Sequence, residues 1–156
     1  MNILAIDPGT TQSGAVWMRG DTVDEARVFP NAEMLAWIRG TDTGRVVVIE
    51  MIASYGMPVG KETFETCVWI GRFIEAAEQR EVGRLFRKDI KRHLCGSLKA
   101  KDSHIWQAIL DRYGPGKDAA VGNKKQPGPL YGITSHQRAA LAVGLTWLDG
   151  VRSEGI

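Results

Sequence analysis

The sequence predicts one α/β domain over residues 1–156, a mixed five-stranded sheet with helices on both faces. Three observations predict it. Short strand-like runs crowd the start of the chain. A continuous β-branched run, Val46-Val47-Val48-Ile49, follows a helical stretch, and helical segments fill most of the second half. A chain of 156 residues can bury a sizeable core of its own.

Asn2–Asp7 is a short apolar run stopped by Asp7-Pro8-Gly9, the pattern of a buried strand ending in a turn. Gly14–Met18 and Val23–Phe29 read as two more strands, and the three make an antiparallel meander. Pro30-Asn31 opens a helix through Ile38 that Gly40 stops. Arg45–Glu50 is the clearest strand, central and buried on both faces. The helix before it makes a crossover unit. Met51–Gly60 is a loop. Lys61–Arg80 is a long helix whose core stripe is expected at Phe64, Cys67, Val68, Gly71, Ile74 and Ala77. Its Trp69, Ile70, Phe73 side is apolar as well and wants a second partner. A dimer interface is preferred there, with deep burial in one monomer as the alternative. Gly83–Arg87 is a short fifth strand. Lys88–Leu94 and Lys101–Tyr113 are helical, separated by Gly96-Ser97. Residues 114–133, rich in Gly, Pro and Lys, predict a long mobile surface loop. Ser135 is the expected N-cap of a closing helix that runs to Asp149.

Composition narrows the function classes. With 44% hydrophobic and 24% charged residues, the chain reads as an ordinary globular protein without long disorder. No apolar run approaches membrane-spanning length, so no membrane association is expected. The N-terminus has no basic leader and reaches Asp7 early, which argues against a secretory signal and for a cytoplasmic location. Cys67 and Cys95 lack metal-site or disulfide spacing and are expected to be buried thiols. The net charge of +2 hides an asymmetry: residues 1–83 carry 7 Lys/Arg against 12 Asp/Glu, and residues 84–156 carry 13 against 6. The basic half suits a polyanion, although a solvated basic face gives the same count.

The strongest local signal is Leu4-Ala5-Ile6-Asp7-Pro8-Gly9-Thr10-Thr11-Gln12-Ser13-Gly14. An acid closes a buried strand, and the turn after it offers backbone N–H groups and the hydroxyls of Thr10 and Thr11. Such a site can hold a divalent cation on Asp7 and a phosphate oxygen on the turn. The same residues also make a plain turn. Glu50 shifts the balance. It ends the central strand, where a carboxylate has no packing role, and parallel pairing would set it beside Asp7. Two carboxylates there repel unless something positive compensates, and a metal ion is the usual solution.

Taken together, the strand–Asp7-Pro8-Gly9-Thr10 opening, the Val-rich strand ending in Glu50, and Gly96-Ser97-Leu98-Lys99-Ala100-Lys101 before a helix resemble the RuvC-type Holliday-junction resolvases. So does a last helix that starts at His136 and continues Ala140-Leu141-Ala142. The likeness spans nearly the whole chain in the right order. Met51–Lys61 and Gly128–Gly132 suggest a bacteriophage or prophage branch, working in the cytoplasm of a bacterium or an infected host. The resemblance implies a ribonuclease H-like fold and a homodimeric, Mg²⁺-dependent endonuclease that cuts branched DNA such as a four-way junction. By position, Asp7, Glu50 and His136 would be metal ligands. In the mechanism this implies, Asp7 bridges two divalent ions and Lys101 helps to balance the transition-state charge.

One position departs from the family. Where it usually reads His-x-x-Asp-Ala-Leu, this chain has His136-Gln137-Arg138-Ala139-Ala140-Leu141. Residues 136 and 139 are one helical turn apart, so an acid at 139 would point where His136 points. Ala139 cannot bind metal. The site then runs with fewer ligands, or the protein binds without cutting, or an acid has been replaced. With one acid missing, Mn²⁺ is a better-tolerated substitute for Mg²⁺.

The segment Arg84, Arg87, Lys88, Lys91, Arg92, Lys99, Lys101 sets seven cations against Asp89 alone. Lys91, Arg92 and above all Lys99 and Lys101 are the candidates for phosphate contacts along DNA arms. Tyr55, just after Glu50, is a candidate wedge for the open centre of a junction, with core packing as the rival. An actin-like sugar or acetate kinase shares the Ile-Asp-Pro-Gly-Thr-Thr turn but needs two domains to enclose ATP. A YqgF-type nuclease acting on RNA shares the opening and lacks the Lys99–Lys101 segment. A junction-binding protein that does not cleave is the third rival.

Overall fold

The computed structural model describes residues 1–153. Five strands form one sheet: β1 (Asn2–Asp7), β2 (Gln12–Arg19), β3 (Thr22–Pro30), β4 (Val46–Met51) and β5 (Val82–Phe86). Their order is β3-β2-β1-β4-β5. β1 to β3 form the antiparallel meander, and β4 lies parallel between β1 and β5. The helices are α1 (Asn31–Gly40), α2 (Lys61–Ala76), α3 (Arg87–Cys95), α4 (Asp102–Tyr113), α5 (Gly116–Ala120) and α6 (Ser135–Leu148).

Period-two alternation in the strands sorts two cores onto the two faces of the sheet. Leu4, Ile6, Trp17, Val47 and Ile49 face Met34, Leu35 and Ile38 of α1 and Ile70 and Phe73 of α2. Ile3, Ala5, Val16, Met18 and Val48 face Ala140, Leu141 and Leu145 of α6 and Ile105 and Ile109 of α4. The expected mixed sheet with helices on both faces is what the chain forms. Among the described residues, no helix is long and apolar enough to cross a membrane.

Several expectations need correction. The long helix stops at Ala76, before a turn in which Glu78 takes φ +56°. Its buried residues are Thr66, Ile70, Phe73 and Ala76. Phe64 and Val68, placed in the core stripe, are instead 62% and 63% exposed. α2 is apolar nearly all round, so periodicity alone does not say which side meets the sheet, and the Ile70–Phe73 side is filled within one monomer. Segment 114–133 is not a loose loop. It contains α5 and a Gly122–Pro127 bridge, and it buries Ala120, Leu130 and Ile133. Gly122 and Gly128 serve close approach: a Cβ on Gly128 would lie 2.6 Å from the Ala120 carbonyl oxygen. The cap of α6 is Thr134, whose N–H donates to Gln137 Oε1 at 2.8 Å in a capping box. Cys67 and Cys95 are half-buried free thiols.

α6 seats closely on the sheet because each side of the contact has a glycine, Gly14 in β2 and Gly144 in α6. A Cβ on Gly14 would lie 2.4 Å from the His136 carbonyl oxygen, and one on Gly144 would lie 2.4 Å from Met18 Sδ. Gly14 pairs with Asp7 across β1 and β2, so this approach delivers the first turn of α6 to the end of β1. Gly14→Ala should therefore push α6 outward, costing about 1–3 kcal/mol. Urea unfolding of the two proteins checks this, and equal midpoints would contradict the packing.

Candidate active site

Asp7 closes β1 and Glu50 lies near the end of β4. The parallel register pairs Ile6 with Ile49, so the two acids stand level at one edge of the sheet. The turn after Asp7 is held by two buried polar side chains. Gly9 N–H donates to Ser13 Oγ at 3.2 Å, Ser13 Oγ–H donates to Asn31 Oδ1 at 2.6 Å, and Asn31 Nδ2–H donates to the Gly9 carbonyl at 2.9 Å. This triad fixes where Thr10 and Thr11 present themselves. Sequence reasoning places Ser13 in the turn motif and Asn31 at a helix start, and only the fold shows that the two side chains pair.

His136 enters from the first turn of α6, with Nδ1 3.4 Å from Asp7 Oδ2. Ala139, one turn on, lines the same cleft, together with Pro8, Met51, Tyr55, Arg87, Asp102 and Ser135. Asp7, Glu50 and His136 are thus brought together. Arg87 and Asp102 join them. Arg87 Nη1 lies 3.4 Å from Glu50 Oε1, and Nη2 donates to Asp102 Oδ1. Arg87 follows β5, whose Leu85 and Phe86 pair with Glu50 and Met51, so it emerges at the same sheet edge. That register is the signal that would have found it.

Burial pushes the Asp7 carboxyl up to about 6, against the hydrogen bond with Glu50 and the charge of Arg87 that pull it down. Burial also pushes Glu50 up, to about 8, and the neighbouring Asp7 adds to the effect. Burial disfavours the Arg87 charge, yet Glu50, Asp102 and Asp7 hold it protonated above its ordinary range. Two acids crowded into a buried place leave a deficit of positive charge that one guanidinium only partly fills. Hard carboxylate oxygens beside an imidazole fit a divalent cation in donor chemistry. Among the described residues, no group of three or more His, Cys, Asp or Glu side chains is already gathered to hold a metal ion.

These shifts have a sign for stability. Both folded-state values lie above the unfolded ones, so the native state keeps protons that the unfolded chain releases. The stability they contribute is complete below pH ~4 and is lost as pH rises from there to about 8. In chelator, the melting temperature should fall over that window, and Glu50→Gln should flatten the fall. A profile of unchanged slope in Glu50→Gln would contradict the pairing.

Of the other candidates, Tyr55 lines the cleft and Lys91, Arg92, Lys99 and Lys101 do not. Tyr55 is at the tip of the loop after β4, 58% exposed with φ +51°, so it is not a core residue. Lys91 and Arg92 are on α3, and Arg92 lies 3.8 Å from Asp89. Lys99 is exposed in the turn before α4. Lys101 caps α4, its N–H donating to His104 Nδ1 at 2.9 Å. Lys101 does not line the cleft, where Arg87 is the cation.

Solved structures with this architecture decide the fold. The Thermus thermophilus RuvC structure matches over 94% of this chain and 92% of its own, with a TM-score of 0.59 and 20% identity. T. thermophilus RuvC in complex with a Holliday junction substrate matches over 94% and 91%, with a TM-score of 0.61 and 18% identity. The fold is that of RuvC. No protein-family model and no curated protein matches the sequence. The RuvC likeness therefore rests on three-dimensional arrangement, with Asp7 and Glu50 at the strand ends that such an arrangement brings together.

Proposed function

We propose that the protein is a structure-selective endonuclease that hydrolyses phosphodiesters of four-way or otherwise branched DNA with a divalent metal ion. The observation that carries this is the meeting of Asp7, Glu50 and His136 at one edge of a RuvC-fold sheet. A relative of that fold was solved with a Holliday junction, which supports branched DNA as the substrate class. Mg²⁺, or Mn²⁺ in its place, would be held by Asp7, Glu50 and His136 and would supply Lewis-acid charge and a more acidic water. The residues do the rest. Asp7 and Glu50 hold the centre against their own repulsion. The attacking water would pass its proton to solvent as its oxygen joins phosphorus and the bond to the leaving sugar oxygen breaks, and solvent would return a proton to that oxygen. Thr10 and Thr11 steady the phosphate at the turn. Exposed Tyr55 wedges into the junction centre, and Lys91, Arg92, Lys99 and Lys101 follow the arms. A homodimer would use the exposed Phe64–Val68 side of α2.

Ala139 favours a second reading, a protein that binds junctions without cutting them. One experiment separates the two. A labelled synthetic four-way junction is incubated with the protein and Mn²⁺, and nicked product and shifted complex are read from the same samples. Chelator-sensitive product is expected. Complex without product would assign the binder, and neither would overturn the proposal.

The basic half carries its own test. Each neutralised phosphate releases counterions, so Lys99→Ala with Lys101→Ala should lower the slope of log affinity against log salt by about one unit for every phosphate left without its lysine. An unchanged slope would return both lysines to a solvated surface.

A further inference from the structure

The cleft contains a cation that the sequence did not assign to it. Arg87 stands among three carboxylates: its guanidinium touches Glu50 and Asp102, and Asp7 acts on it through space. Asp102 is itself exposed and makes this contact from the first turn of α4. Opposite, at Ala139, there is no acid, and among the described residues no group of three or more His, Cys, Asp or Glu side chains is gathered to hold a metal ion, still less two. Three carboxylates against one resident guanidinium leave two negative charges, which one dication balances and two would exceed. The ligand count and the charge both stop at one.

We propose that Arg87, clamped by Asp102, supplies the second positive charge of this cleft, so that each chain takes a single divalent cation. The inference rests on the nuclease reading for its chemistry, although metal stoichiometry is read without DNA. A guanidinium suits the role. It is planar, permanently charged and able to donate to two oxygens at once, so it can hold Asp102 with one edge and turn the other toward a phosphoryl oxygen. It neither gains nor loses a proton in the reaction. It stabilises the charge that builds on the non-bridging oxygens, as a second ion would.

The test is calorimetric titration of Mn²⁺ into the full chain without DNA, for wild type, Arg87→Gln, Arg87→Lys and the double variant Arg87→Gln with Ala139→Asp. Wild type should bind one Mn²⁺ per chain. Arg87→Gln removes a repelling charge and should bind that ion about tenfold tighter, yet cut a junction at least about a hundredfold slower. Arg87→Lys keeps the charge and should keep the wild-type Mn²⁺ affinity, with partial cleavage. The double variant has a new acid and no guanidinium, and should take two ions. Two Mn²⁺ on wild type, or Mn²⁺ binding unchanged or weakened in Arg87→Gln, would overturn the inference alone. One Mn²⁺ with no cleavage of any branched DNA by wild type would overturn the nuclease reading alone. No Mn²⁺ bound would overturn both.

Discussion

Ala139→Asp is expected to raise Mg²⁺-dependent cleavage of a four-way junction by tenfold to a hundredfold, on the order of 1–3 kcal/mol of barrier. Mg²⁺ demands near-octahedral oxygen ligands and tolerates an imidazole poorly, whereas Mn²⁺ accepts mixed nitrogen and oxygen donors. With Asp7, Glu50 and His136 as its donors, the present chain should cut weakly with Mg²⁺ and better with Mn²⁺. Ala139 is half-buried, lines the cleft and lies one turn from His136, so an aspartate there reaches the same ion. The change alters which ion the centre prefers, while Arg87 sets how many it holds. The stability cost should stay near ~1 kcal/mol, because the position opens onto solvent. A cleavage titration of both proteins with both metals measures the effect. Full Mg²⁺ activity in the Ala139 protein, unchanged by the aspartate, would show that the missing acid was never needed.

Much of the fold is legible in the sequence because it is written locally. Strand periodicity, the Val46–Ile49 run and the turn at Asp7-Pro8-Gly9 set the meander and the parallel step, and these bring Asp7 level with Glu50. His136 is legible from the helix it opens. What stays hidden depends on packing between elements. Phe64 and Val68 share helical spacing with one another, as do Ile70 and Phe73, so which side of α2 faces the sheet is decided only when α1 and the sheet close around it. The glycines at 122 and 128 look like flexibility. Their neighbours leave no room for a Cβ, which marks tight approach instead. Thr134 and Ser135 are both credible caps, and Gln137, three residues after Thr134, settles the choice. Arg87 reads in sequence as one of seven surface cations, because only the β4–β5 register and the docking of α4 place it between Glu50 and Asp102.

The central claim is that the Asp7–Glu50 cleft is where DNA is cut. The most direct measurement compares Asp7→Asn and Glu50→Gln with wild type on one labelled four-way junction in Mn²⁺, recording single-turnover cleavage and junction affinity side by side. Both substitutions keep shape and remove a negative charge, and the crowded acids are a source of repulsion rather than support for the fold. Each variant should therefore fold, bind the junction within about twofold of wild type, and lose cleavage by about a thousandfold or more, ~4 kcal/mol of barrier. Cleavage that persists in either variant, or junction affinity that falls as far as cleavage does, would contradict the assignment of this cleft as the nuclease centre.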